Sequence, residues 1–244
     1  MSAAEPSLNT NEQSKPNDNT GGLRLAVFDC DGTLVDSQAS IVSSMAAASR
    51  AHGLAAADPE SVRRIVGLPL DVGIARLFPN LDATGIASVR EGYRQAFSDL
   101  RQTGEIEEPL YPGVLETLEF LEQAGWLLGI ATGKSHKGLV STLATHDLEG
   151  RFVTVQTADR ALGKPHPEMM LNALSETGAD ATQAVMIGDT TFDMEMARNA
   201  NVWAIGVAWG YHGVDELTAA GAHTVVHQYA DLPAVLNDLM TGAA

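Results

Sequence analysis

Short apolar runs alternate with stretches of helical spacing along this chain, and that alternation restricts the fold more than any other feature. The runs fall at residues 25–28, 126–131, 152–156, 185–187 and 202–207. Between them, Val114, Leu118 and Leu121 recur at helical spacing, as do the apolar residues within 139–143, 169–174 and 192–200. A run that is apolar at successive positions suits a strand buried on both faces, which is the habit of parallel sheets. Strand followed by helix, repeated, predicts an α/β protein with a Rossmann-like parallel sheet and helices on both faces. The binding crevice of such a sheet lies at the carboxyl ends of its strands.

One stretch departs from this rhythm. Residues 37–107 hold no convincing strand, but they have helical patterns at 41–51, 59–66 and 86–100. They predict a small α-helical cap domain inserted after the first strand, with the core domain formed by residues 23–36 and 108–244. The insert carries Arg63, Arg64, Arg76, Arg90, Arg94 and Arg101. Residues 1–22 are Ser, Asn, Thr, Pro, Glu and Gly with almost no large apolar side chain, so burial cannot offset their ordering entropy. A disordered tail is expected there.

Charge narrows the partners. With 15 basic and 31 acidic residues the formal charge is −16, the wrong sign for nucleic acid or an anionic membrane surface. A small phosphorylated metabolite would also be repelled at long range, so a site for one needs local cations or a metal ion. The single cysteine, Cys30, cannot form an internal disulfide, and no run of 18 apolar residues occurs. A cytoplasmic protein is expected; the oligomeric state is left open.

The chemistry concentrates at the expected strand ends. Asp29-Cys30-Asp31-Gly32-Thr33-Leu34-Val35-Asp36 follows the first apolar run. Two carboxylates two positions apart can divide labour, one as nucleophile or metal ligand and one as general acid and base. The same residues also suit an Asp-rich turn, with Gly32 at positive φ and Asp36 capping the next helix. A second acidic strand end, Gly188-Asp189-Thr190-Thr191-Phe192-Asp193, favours the chemical reading, because helix capping explains one cluster but not two in register. Several carboxylates together suit a hard divalent cation, and Mg²⁺ takes few protein carboxylates plus water and phosphate. Thr132 and the backbone of Gly133, after the second run, can hold phosphoryl oxygens. Lys164, in Gly163-Lys164-Pro165-His166-Pro167, can supply the positive charge that the chain as a whole lacks.

In order and content these four segments resemble the four motifs of the haloacid dehalogenase superfamily, and the likeness spans about residues 23–227. The placing of the helical insert resembles the phosphoglycolate phosphatase-like branch. The resemblance implies that Asp29 is a nucleophile forming an aspartyl-phosphate, and that Asp31 protonates the leaving oxygen and later activates water. It implies a Mg²⁺ held by the side chains of Asp29 and Asp189 and the carbonyl of Asp31. Asp193 would serve through a coordinated water or by orienting Lys164. Gly32, Thr132, Gly133 and Lys164 would then serve phosphoryl binding. Independently of the resemblance, Arg63, Arg64 and Leu68 to Leu70 of the insert are the residues expected to set specificity.

The expected activity is therefore Mg²⁺-dependent hydrolysis of a small phosphate monoester. The rivals are a sugar phosphomutase of the β-phosphoglucomutase type and a catalytically silent phosphate-binding protein. In the mutase branch an arginine stands three residues after a loop glycine; the similar loop here, Gly67-Leu68-Pro69-Leu70, has leucine. A nucleotide-binding P-loop is excluded at residues 129–135, because only three residues separate the glycines where four are required. No His-Glu-x-x-His pattern points to zinc.

Overall fold

The computed structural model describes residues 22–241; apart from Gly22, the tail expected over residues 1–22 lies outside the described residues. Six strands form one sheet: β1 (Arg24–Phe28), β2 (Trp126–Thr132), β3 (Thr154–Thr157), β4 (Ala184–Gly188), β5 (Trp203–Val207) and β6 (Thr224–Val226). Their spatial order is β3-β2-β1-β4-β5-β6, and every neighbouring pair is parallel. The α/β class and the two helical layers agree with the sequence pattern. The third strand starts two residues later than the apolar run at 152–156, because Phe152 packs into the core before the strand begins. The sixth strand was not expected; it is only three residues long.

Period two along each strand sorts side chains to the two faces. Ala26 and Phe28 join Leu118, Leu121 and Leu139 of α5 (Val114–Gln123) and α6 (His136–Thr145). Leu25 and Val27 point the other way, onto Met169, Met170 and Met194 of α7 (Glu168–Thr177) and α8 (Thr191–Asn199). Because both faces are covered, no polar alternation is visible in the sequence of these strands. Two further helices, α9 (Val214–Ala219) and α10 (Leu232–Thr241), follow β5 and β6.

Between β1 and α5 lie α1 (Gln38–Ala51), α2 (Pro59–Arg63), α3 (Leu70–Leu77) and α4 (Ala83–Thr103). They bury an apolar cluster of their own, including Ile41, Met45, Val62, Ile74 and Val89. The chain leaves the sheet and returns to it side by side: Asp36 N–H donates to the Pro109 carbonyl at 2.8 Å and Tyr111 N–H to that of Leu34 at 3.0 Å. The third of these helices, α3, had no counterpart among the helical patterns read from the sequence.

The register sets the site. Phe28 is level with Ile130 of β2 and Ile187 of β4, so the three central strands end within two residues of one another. Asp29 N–H donates to the Ile187 carbonyl at 2.9 Å. After β1 the sheet grows first towards β2 and then, from β4, in the opposite direction; such a reversal opens a crevice at the carboxyl ends of the strands.

Candidate active site

The register places Asp29 and Asp189, each one residue beyond its strand, next to each other at the reversal point. Carboxylate oxygens of Asp29, Asp189 and Asp193 lie within 4.8 Å of one another, and all three residues are buried. Lys164, on the loop between β3 and α7, meets them from below: its Nζ is 2.9 Å from Asp29 Oδ2 and 2.6 Å from Asp193 Oδ1. Lysine is rarely so enclosed without a partner; here the residue is 1% exposed and has two.

Each acid is held by its own local structure. The Asp29 Oδ1 accepts the Cys30 N–H at 2.6 Å. Asp189 accepts from Thr33 Oγ1 at 2.9 Å on one oxygen and from Tyr211 N–H at 2.9 Å on the other. Asp193, in the first turn of α8, turns Oδ2 back to Thr190, accepting its N–H at 3.0 Å and its hydroxyl at 2.7 Å. With Oδ1 on Lys164, both oxygens of Asp193 are engaged within the protein, an arrangement that orients the ammonium.

Gly32 makes the tight approach of the two acidic loops possible. Its φ is +81°, and a Cβ there would lie 2.3 Å from Asp189 Oδ2, so glycine is required on both conformational and steric grounds. Gly32 therefore leaves room for Asp189 and is not among the residues that line the cavity above the acids.

Burial dominates the electrostatics. It pushes the Asp29 carboxyl up to about 7, against the pull of Lys164 and with a further push from Asp193. Burial, and then the charges of Asp29 and Asp193, raise Asp189 well above the ordinary carboxylate range. For Lys164, burial works against the ammonium, but Asp193 and Asp29 more than offset it and hold the residue charged above its usual range. Three buried carboxylates against one ammonium leave an excess of negative charge, and a hard divalent cation with oxygen ligands is the group that would relieve it. The residues present thus fit Mg²⁺.

Above this centre opens a cavity of about 670 Å³, lined from the sheet by Asp29, Asp31, Thr132, Gly133 and Lys134 and from the helical segment by Leu68, among others. The sequence-expected residues therefore divide into layers. Asp29, Asp31, Thr132 and Gly133 face the cavity; Lys164, Asp189 and Asp193 lie beneath it. Leu68 lines it, on a loop that lies close against the loop between β3 and α7: a Cβ on Gly163 would meet the Pro69 ring at 2.2 Å. Arg64 lies elsewhere. It is absent from the cavity lining, and its guanidinium bonds Glu216 on α9 instead.

Sequence reasoning missed several supporting residues. Thr33 and Tyr211 fix Asp189, and Ser37 Oγ donates to Asp31 Oδ1 at 2.6 Å. Lys134 Nζ lies 2.8 Å from the same Asp31 oxygen, and Glu108 lies behind it. Lys134 stood in plain view beside Thr132 and Gly133. Tyr211 sat in an aromatic-glycine turn with nothing to mark its backbone N–H.

The fold and site together define a doubly wound α/β protein with a buried acidic centre, completed by a lysine, beneath a helix-walled cavity. The family model described as "Haloacid dehalogenase-like hydrolase" matches residues 26–207, and the chain belongs to that family. It is 36% identical over 219 residues to a protein of Dickeya dadantii named "Probable phosphatase IndB", covering 88% of this chain and 94% of that one. It is 34% identical over 224 residues to a phosphoglycolate phosphatase of Agrobacterium fabrum, covering 90% and 95%. Among solved structures, a hydrolase from Pseudomonas syringae superposes with a TM-score of 0.78 at 26% identity, over 88% of this chain and 98% of that one.

Proposed function

We propose that this chain, a phosphatase of the haloacid dehalogenase-like family, hydrolyses a small phosphate monoester through an aspartyl-phosphate on Asp29. The observation that carries the reading is the buried Asp29, Asp189 and Asp193 cluster with Lys164, directly beneath a cavity that Asp31 and Thr132 also line. Asp29 attacks phosphorus in line: its bond to phosphorus forms while the ester P–O bond breaks. The electron pair stays on the departing oxygen, which takes a proton from Asp31. Asp31, now ionised, removes a proton from water as that water attacks the phosphorylated Asp29, releasing inorganic phosphate and restoring both carboxyl groups. Thr132 and the Gly133 backbone hold the phosphoryl oxygens, and Lys164 offsets the charge around Asp29. Placement and charge neutralisation supply most of the acceleration in such a transfer.

Asp29, Asp189 and the Asp31 carbonyl would hold Mg²⁺, with Asp193 acting through Lys164 or a coordinated water; the cation would neutralise charge on the transferring group. Residues 37–107 are read as a cap domain over a core of residues 23–36 and 108–244, excluding water from the reacting centre. The leucine-walled loop at Leu68 belongs to this cap. The name of the Agrobacterium relative makes phosphoglycolate the first substrate to try. A cytoplasmic setting suits the free, buried Cys30; among the described residues no helix is long and apolar enough to cross a membrane.

The test is turnover of a phosphate-ester panel with Mg²⁺, beginning with phosphoglycolate and p-nitrophenyl phosphate. The reading expects one inorganic phosphate per ester consumed and no turnover by Asp29→Asn. A mutase would convert a sugar phosphate without releasing phosphate, and a silent binding protein would convert nothing.

A further inference from the structure

Glu108 is a buried carboxylate that the reaction as described does not use. It lies where the chain returns from the helical segment to the sheet, with its side chain 4% exposed. Its Oε2 accepts from Arg101 of α4 at 2.5 Å and from the Thr142 hydroxyl of α6 at 3.2 Å. Its Oε1 accepts from Lys134 Nζ at 3.0 Å, and the backbone carbonyl of Glu108 is 2.7 Å from His146 Nε2. The carboxylate is thus held from α4, from α6 and from the loop between β2 and α6.

Lys134 is the link to the chemistry. Its Nζ is 2.8 Å from Asp31 Oδ1, which also accepts from Ser37, while Asp31 Oδ2 has no protein hydrogen bond among the described residues. Burial opposes the Lys134 ammonium, yet Asp31 and Glu108 keep it charged above its usual range. Lys134 lines the cavity, and a flexible lysine held by Asp31 alone would be free to swing towards the phosphoryl group. Buried ion pairs of this kind contribute little net stability compared with apolar packing, so the arrangement calls for a purpose other than stabilising the fold.

We propose that Glu108 is a positioning residue: by pinning Lys134 against Asp31 Oδ1, it holds Asp31 with Oδ2 left free to protonate the departing oxygen. This rests on the phosphatase reading of Asp31. In the step concerned, the Asp29–phosphorus bond forms and the ester P–O bond breaks. The electron pair goes to the departing oxygen, and the Asp31 proton joins it there. An alkoxide needs that proton; p-nitrophenolate is a stable anion and leaves without it.

The experiment measures kcat/KM of the Mg²⁺-loaded protein and of Glu108→Gln, Lys134→Met and the double variant. The substrates are p-nitrophenyl phosphate and phosphoglycolate or, if the latter is not turned over, the best alkyl phosphate of the panel. The proposal expects Glu108→Gln to lose about tenfold or more on the alkyl ester beyond its loss on p-nitrophenyl phosphate, within the range for general acid catalysis. It also expects the double variant to lose no more than Lys134→Met alone, the mark of residues acting as one unit. If Glu108→Gln does not accumulate as folded protein, Lys134→Met must show the same selectivity for the alkyl ester. Equal losses on the two esters, or additive losses in the double variant, would assign Glu108 a purely structural role and overturn the proposal. A wild-type protein that turns over no phosphate ester would refute the phosphatase reading and this inference with it, an outcome distinct from equal losses in an active enzyme.

Discussion

Replacing Lys164 by methionine removes a buried charge while keeping most of the side-chain volume. The ammonium sits 2.9 Å from Asp29 and 2.6 Å from Asp193, both essentially without solvent contact. With an effective dielectric of about 20, each contact is worth on the order of 6 kcal/mol of gross attraction. Desolvating the ions takes back several kcal/mol for each, so the net loss on removing one partner is about 3–5 kcal/mol. For a chain of this size that corresponds to a melting temperature lower by about 6–20 °C. The assay is thermal unfolding of both proteins in chelator at one fixed pH. Magnesium should return part of the loss in the variant, because a cation that binds only the folded state stabilises it. Melting within about 2 °C of wild type, a shift smaller than 1 kcal/mol would produce, would refute the claim that the ammonium compensates these acids.

The same geometry supports three shorter expectations. In chelator, Asp29 titrates near 7 when folded against an ordinary value of 3.8. The folded state therefore binds the extra proton, and stability should fall as pH rises from about 4 to about 7; urea titrations should show this slope and its flattening by Mg²⁺. Gly32→Ala should abolish turnover and weaken Mg²⁺ binding measured by calorimetry, because its Cβ would collide with Asp189. Arg94 lines the cavity with no ion-pair partner among the described residues. Arg94→Ala should therefore raise KM for esters bearing a second negative charge by about tenfold, with kcat nearly unchanged, as for lost uniform binding.

The residues at the strand ends could be read in advance because parallel strands buried on both faces announce themselves as apolar runs, and the side chains just past each run must face the crevice. Asp29, Thr132 and Asp189 were legible for that reason. β6 was not, since three residues, Thr224–Val226, are too few to show a pattern. The partner of Arg64 was not legible either, because helical spacing gives a face but not its neighbour, and the neighbour is Glu216, 152 residues away. Glu108 and Tyr211 carried no local signal at all: their importance comes from contacts with Lys134 and Asp189, which only the folded chain creates.

Covalent capture on Asp29 tests the central claim most directly. The protein, mixed with Mg²⁺ and a phosphate ester it turns over, is quenched in acid within milliseconds, and its peptides are read by mass spectrometry. The account predicts a phosphoryl group on the Asp29 side chain, forming no more slowly than steady-state turnover and absent from Asp29→Asn. Turnover with no protein-bound phosphate at any time, or with phosphate on another residue, would contradict it.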